Sequence, residues 1–284
     1  MENNEFNKIL IVYSEKQTET HKKTIEDTKK YLTSLEKDFK TIAFNELHDD
    51  HFQDIDLVVT IGGDGTFIRT THFMRGDTPI LGINSEPEFS EGALTSIKND
   101  QVHELGNFLT GNYKVLKRPR ARVLHNGKII QELALNEVYV GTKDQFHTSR
   151  YILEHNGKEE EHRSSGALVV TGSGSSAWYK SAGGTPFPAH EKKLKLLVRE
   201  PFQSRIFNPE MIESEIEEGK KIKFTSKRSY GGVVAIDSYA TYDFNNGDII
   251  EIRISSQPLC VIIRNGDKDE NIEITQNNTK NEDE

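Results

Sequence analysis

The first third of the chain alternates apolar and polar stretches whose lengths suit strands and helices in turn. Lys8–Tyr13 (KILIVY) is a short apolar run, fit for a strand buried on both faces. Thr18–Phe39 is long, polar and helix-prone, with Ile25, Tyr31, Leu32 and Leu35 available for a buried stripe. Lys40–Phe44 and Asp56–Ile61 predict further strands, Thr66–Met74 a helix, and Pro79–Asn84 another strand. This β-α-β order predicts an α/β domain with a mostly parallel sheet and helices on its faces.

Past Ser96–Tyr113, which reads as a connecting helix, the pattern shortens. Strand-like runs recur at Ala121–Leu124, Lys128–Leu135, Val138–Val140, Ser149–His155, Ala167–Thr171, Lys221–Thr225, Gly232–Ile236, Ile249–Ser255 and Leu259–Arg264. Asn126-Gly127, Asn156-Gly157 and Asn246-Gly247 are hairpin signals between them. The expected layout is an α/β domain over 1–98, a β-rich domain over 99–264, and a polar, acidic, largely disordered tail over 265–284 carrying a last strand at Ile272–Ile274.

Composition narrows the partners. A net charge of −9 argues against nonspecific binding to nucleic acid or anionic membranes, though not against a locally basic phosphate pocket. Lys117–Arg122 (KRPRAR) is such a cluster, or else a solvated linker or strand edge. The single cysteine, Cys260, lies in an apolar run and reads as a core residue in a reducing compartment. No apolar run approaches the roughly 18 residues of a membrane span, and the acidic first residues resemble no signal peptide. The expected location is the cytoplasm. His147, His155, His162 and His190 show no paired metal-ligand spacing, so no protein metal site is expected.

Candidate chemistry centres on Gly62-Gly63-Asp64-Gly65-Thr66, directly after an apolar run. Three glycines let backbone approach a ligand and turn with positive φ, and consecutive N–H groups can then face phosphate oxygens. A following helix start adds the positive end of its dipole. Asp64 is the odd member, since a carboxylate beside phosphates is repelled unless it has a task. It can accept a proton from an attacking hydroxyl or hold Mg²⁺, both tasks of phosphoryl transfer. No Gly-Lys-Ser/Thr follows, so this is not a Walker A loop. Asp-Gly is also ordinary turn chemistry.

A second constellation follows the strand Ala167–Val170: Thr171-Gly172-Ser173-Gly174-Ser175-Ser176, a helix start at Ala177–Ser181, and Gly183-Gly184. Hydroxyls and free amides there can bind phosphates or sugar hydroxyls. Trp178, the only tryptophan, is either a stacking surface for a purine or nicotinamide ring or a core aromatic. Asn136-Glu137 ends a strand and can bind an aminopurine edge and ribose hydroxyls.

In this order, GGDGT, LNE and TGSGSSAW–SAGG resemble the NAD kinase family, over roughly Leu57 to Asp237. The chain looks like the branch containing the mitochondrial NAD kinases and some plant NADH kinases. The resemblance implies a two-domain fold and phosphorylation of the 2′-hydroxyl of the adenosine ribose of NAD(H), with ATP or another donor, Mg²⁺, and a homodimer or higher homo-oligomer. It implies Asp64 as general base and Gly62, Gly63, Gly65 and Thr66 as the phosphate cradle. Asn136, Glu137, Ser165, Thr171, Ser176, Ala177, Trp178, Ser181 and Asp237 would line the NAD site. Three departures stand out: Ser165-Gly166 where the common family has Asp-Gly, Thr171-Gly172-Ser173-Gly174-Ser175-Ser176 in place of Thr-Pro-Thr-Gly-Ser-Thr, and Ser85–Gly92 in place of Gly-Xaa-Leu-Gly-Phe-Leu; Trp178 falls where the common family has a tyrosine. The Ser85–Gly92 change, with Arg199-Glu200-Pro201, points to the mitochondrial-like branch. Two alternatives remain: a lipid kinase of the diacylglycerol or sphingosine type sharing GGDGT, and an NAD-binding sensor without turnover.

Overall fold

The computed structural model describes residues 6–144 and 146–266. The chain forms two compact units, one running to Lys117 and regaining the chain from Leu259, the other spanning Arg118–Pro258. The expected strand at Ile272–Ile274 lies outside the described residues.

In the first unit β1 (Lys8–Tyr13), β2 (Asp38–Ala43), β3 (Leu57–Gly62) and β4 (Ile80–Asn84) lie side by side in the order β2-β1-β3-β4, every pair parallel. The apolar runs have the expected cause: Ile9 to Val12 and Leu57 to Val59 are wholly buried, as strands covered on both faces must be. Helix α1 (Glu19–Ser34) begins at Thr18, whose hydroxyl accepts from the His21 N–H at 3.3 Å. It stops earlier than the polar pattern predicts. Glu36 takes φ 53° and turns the chain, so Leu35 stays 39% exposed outside the stripe while Phe39 enters β2. Helix α2 (Asp64–Thr71) follows β3 immediately.

The stretch expected as one connecting helix is broken. It holds a two-residue strand β5 (Ile97–Lys98), a 3₁₀ stretch, a short helix α3 (Leu105–Leu109) and then β6 (Tyr113–Arg118). Gly106 and Gly111, the latter at φ 87°, weaken helix propagation there.

The second unit is a sandwich of two six-stranded sheets whose residue pairings are all antiparallel. Its strands in chain order are β7 (Ala121–His125), β8 (Lys128–Ala134), β9 (Glu137–Thr142), β10 (Ser149–His155), β11 (Lys158–Ser164), β12 (Ala167–Val170), β13 (Lys193–Val198), β14 (Glu213–Glu217), β15 (Lys221–Ser226), β16 (Gly232–Ile236), β17 (Ala240–Asp243) and β18 (Ile249–Ile254). One sheet runs β11-β10-β15-β18-β7-β8, the other β14-β13-β12-β9-β16-β17. Val123, Tyr151, Phe224 and Ile252 from the first meet Val138, Val169, Leu196 and Val234 from the second in one apolar core. Helix α4 (Trp178–Ser181) sits on the outer face of the second sheet, where Tyr179 packs with Tyr139, Leu168 and Val170.

Asn126-Gly127 and Asn156-Gly157 form hairpin turns with positive φ at both residues, as the dipeptides predict. Asn246-Gly247 does not form one: it joins β17 of one sheet to β18 of the other. The Lys117–Arg122 cluster is not a solvated linker. Arg120 is fully buried with Nε donating to the Gln257 carbonyl at 2.9 Å, and Arg122 donates to the Ile130 carbonyl.

The run Leu259–Arg264, β19, does not continue the sandwich. It returns to the first sheet between β4 and β6, with Val261 parallel to Ile80, and buries Cys260 there as the core residue expected.

Candidate active site

The glycine loop caps the carboxyl end of β3, where open parallel sheets bind ligands. Gly62 ends the strand, Gly63 is the extended residue before α2, and Asp64 opens the helix. The loop does not use positive φ: none of Gly62, Gly63 or Gly65 lies in the left-handed region. Close approach is the reason for glycine instead. A Cβ on Gly62 would lie 2.3 Å from Thr66 Oγ1, and one on Gly63 would lie 2.5 Å from Ser90 Oγ. Gly65 differs, because its missing side chain would enter open space. The amides at the start of α2 have no intrahelical acceptor and carry the positive end of the dipole.

Asp64 is half-buried and held in place by the chain rather than by a cation. Its Oδ1 accepts from the Leu94 N–H at 2.8 Å and its Oδ2 from the Ala93 N–H at 3.1 Å. A carboxylate has about four acceptor positions, so oriented lone pairs remain for a proton.

A polar network that sequence reasoning missed backs this loop. His21 is fully buried, and its Nε2 donates to the Ser14 carbonyl at 2.6 Å while the Ser85 hydroxyl donates to Nδ1 at 2.7 Å. Burial pushes the His21 pKa down, which keeps it neutral in this tautomer. Ser85 N–H in turn donates to the Gly62 carbonyl at 3.2 Å. Glu86, 6% exposed, accepts from Lys16 Nζ at 2.5 Å and Thr18 Oγ1 at 2.6 Å, and these bonds hold its pKa below the usual carboxylate value. The only signal in the sequence was the unusual Ser85–Gly92 stretch.

In the second unit the predicted residues gather at the ends of β9 and β12, where Glu137 pairs with Val170. Thr171 N–H donates to the Asn136 carbonyl at 2.9 Å, and its hydroxyl donates to the Leu135 carbonyl. Gly174 lies flat against Asn136, where a Cβ would be 2.3 Å from the Asn136 carbonyl oxygen. Asp237, at φ 49°, accepts from three successive amides: Leu135 at 2.6 Å, Asn136 at 2.8 Å and Glu137 at 3.0 Å. It therefore shapes the Asn136-Glu137 corner from behind. Burial pushes Asp237 up to about 6 against the pull of these N–H groups. Glu137 has no such compensation. It is 7% exposed, its Oε2 is buried without a partner, and burial followed by repulsion from Asp237 pushes its pKa up to about 8. Asn136 Oδ1 is likewise buried and unpartnered.

Tyr139, two residues along β9 on the same face as Glu137, links the remaining residues. Trp178 stacks on it with ring centroids 5.5 Å apart, and the Tyr139 hydroxyl donates to the Ser165 carbonyl at 3.1 Å. Ser176 is half-buried and Ala177 exposed at the turn into α4. Ser181 is exposed, its hydroxyl donating to the Ala177 carbonyl at 3.3 Å. So Asn136, Glu137, Thr171 and Asp237 are in direct contact, Ser165 and Trp178 join through Tyr139, and Ser181 stands outside.

A glycine loop carrying an oriented carboxylate at a helix start in one unit, and unsatisfied buried acceptors in the other, are the parts a phosphotransferase needs. Residues 3–110 match the ATP-NAD kinase N-terminal domain. The chain is 32% identical over 212 residues to the NAD kinase of Pyrococcus abyssi, covering 72% of this chain and 71% of that one. It is 29% identical over 278 residues to a probable NADH kinase of Oryza sativa subsp. japonica, covering 89% and 85%. The crystal structure of an NAD kinase from Archaeoglobus fulgidus in complex with ATP superposes with a TM-score of 0.71 at 26% identity, covering 92% of this chain and 94% of that one. The chain belongs to the NAD kinase family.

Proposed function

We propose that this chain transfers a phosphoryl group from ATP to the 2′-hydroxyl of the adenosine ribose of NAD(H), giving NADP(H). The observation that carries the reading is Asp64, fixed by two backbone N–H donors at the start of α2 with lone pairs to spare. As the ribose oxygen bonds to the γ-phosphorus and the bond to the β-phosphate oxygen breaks, Asp64 takes the hydroxyl proton. The amides of Gly63, Asp64 and Gly65, with Thr66, offset charge on the phosphoryl oxygens. The buried, unpartnered oxygens of Asn136 and Glu137 lack donors that an adenine amino group and ribose hydroxyls carry. Thr171, Ser176, Ala177, Trp178 and Ser165 line the same dinucleotide site, Ser181 lies at its margin, and Asp237 holds its corner.

Among the described residues no three Asp, Glu, His or Cys side chains converge as a metal cage. Mg²⁺ brought in with the donor would meet Asp64 as the carboxylate at the loop. Magnesium, when bound, neutralises charge on the transferring group. The relatives' names, NAD kinase and NADH kinase, support the same substrate pair for this chain. A homodimer or larger homo-oligomer in the cytoplasm completes the proposal. The single cysteine supports that location, and no helix among the described residues is long and apolar enough to cross a membrane.

The test is product formation by purified protein with Mg²⁺ and ATP, comparing NAD with NADH and including Asp64→Asn. NADP(H) from the unmodified protein, and far less from the variant, is the expected result. Dinucleotide binding without product would instead make the protein a sensor.

A further inference from the structure

Arg199 lies over the Trp178 ring, and no role has been given to it so far. It follows β13, and its backbone pairs with the 165–166 turn: Arg199 N–H donates to the Gly166 carbonyl at 2.8 Å and Ser165 N–H donates to the Arg199 carbonyl at 3.0 Å. Its guanidinium carbon lies 5.0 Å from the centre of the Trp178 ring, whose other neighbour is Tyr139. The side chain is only 17% exposed. Its Nε and Nη1 are buried with no hydrogen-bond acceptor. Its ion-pair partner among the described residues is Glu200, 3.6 Å from Nη2 and 62% exposed, so solvent screens that pair. A guanidinium this buried and this poorly neutralised projects a positive field through the tryptophan it stacks on.

The two redox forms of the proposed substrate differ at one place in charge. The oxidised nicotinamide ring is a cation, and the reduced ring is neutral. We propose that Arg199, acting through Trp178, is a specificity-determining residue that makes this site favour the reduced dinucleotide over the oxidised one. The inference rests on the kinase reading and on Trp178 facing the nicotinamide ring. It follows from like-charge repulsion in a partly buried site, where such repulsion is weakly screened. Because the carboxylate that pairs with the guanidinium is exposed and screened, an oxidised ring meets that repulsion with little offset.

Titration calorimetry with NADH and with NAD, on the unmodified protein, Arg199→Gln and Ser165→Asp, tests it. The unmodified protein should bind NADH on the order of tenfold more tightly than NAD. Arg199→Gln removes the charge, and Ser165→Asp offsets it from the adjoining turn. Both should bring the ratio of dissociation constants towards one, with melting curves confirming that each variant folds. Quenching of Trp178, the sole tryptophan, reports NADH occupancy independently. Equal weakening of both forms in Arg199→Gln would overturn the inference and make Arg199 a phosphate ligand. A ratio unmoved in both variants, or no preference in the unmodified protein, would also overturn it. Turnover of the unmodified protein separates the two readings. Absence of NADP(H) with the expected shift in ratio removes the kinase reading alone, and product formation with an unmoved ratio removes this inference alone.

Discussion

The loop at Gly62–Thr66 and the loop at Thr171–Ser176 are both rich in glycine and hydroxyls, yet their glycines meet opposite surroundings. At Gly62 and Gly63 an added Cβ would touch the side chains of Thr66 and Ser90, and at Gly65 it would touch nothing. At Gly172 and Gly174 it would touch backbone, 2.1 Å from the Pro188 carbonyl and 2.3 Å from the Asn136 carbonyl. Side chains can turn away, whereas backbone in a sheet corner cannot. In the first loop Gly62 and Gly63 make room for side chains and Gly65 leaves open space, while in the second both glycines make room for backbone. Their carboxylates divide the same way: Asp64 is oriented by two amides with room left over, and Asp237 spends itself on three amides of its own fold.

The largest effect that sharpens this contrast is on turnover. Asp64→Asn should lower kcat by about 10²–10⁴-fold, while its melting free energy falls by only about 1 kcal/mol, since one amide oxygen still accepts. A variant that loses stability and turnover in proportion would make Asp64 structural, like Asp237.

Next in size is Gly174→Ala, which forces a methyl into the Asn136 backbone and should cost about 1–3 kcal/mol or more of stability by chemical denaturation. Near-neutral stability would mean that the corner yields, and the contrast between the loops would dissolve.

Glu137 supplies a pH test. Its folded pKa, about 8, lies above the ordinary carboxylate value. Between roughly pH 4.5 and 8 the folded state holds a proton that the unfolded state has released, so this group's contribution to stability is present at low pH and is lost as pH rises. Glu137→Gln should flatten that fall and raise the melting temperature at pH 8 by roughly 5 °C, with little change at pH 5. Parallel curves for the two proteins would remove the buried acid from the account.

Smallest is Gly65→Ala. With open space around it, and alanine better than glycine in a helix, the variant should gain about 0.5–1 kcal/mol of stability. It should nonetheless raise the KM for ATP, because the methyl occupies the space left for phosphate. Unchanged KM would place the donor elsewhere.

Much of this was legible in the residues. KILIVY, the apolar run before Gly62 and PILGIN form the parallel strands their patterns predict, because burial on both faces leaves no polar position to confuse the period. The order of the motifs was enough for the family; of the residues named from it in the second unit, Asn136, Glu137, Thr171 and Asp237 touch one another, and Ser181 stands apart. The illegible parts share a cause: they depend on contacts far apart in sequence. Leu259–Arg264 has the same composition as its neighbours in the sandwich, and nothing local tells it to pair with Ile80. Asp237 looks like any polar residue after a strand until three amides a hundred residues away are seen on its carboxylate. His21 reads as surface on a polar helix, and only Ser14 just past β1 and Ser85 just past β4, both bonded to its ring, show why it is buried. The positive φ expected of the glycine loop failed because crowding by Thr66 and Ser90, which no spacing rule encodes, is the constraint there.

The return of β19 to a place between β4 and β6 also sets the order of events during synthesis. A nascent chain released as far as Lys117 has β1 to β4 ready to pair, but one flank of its sheet lacks the strand that closes it. Beyond the two residues that β5 pairs at Ile83 and Asn84, that flank stays an open row of peptide groups, able to recruit a passing strand, until some 140 further residues have been translated and Leu259–Arg264 emerges. The last described strand thus acts as a latch on the first domain made, and a ribosome that stalls inside the sandwich leaves behind a sticky, unfinished sheet rather than a finished half.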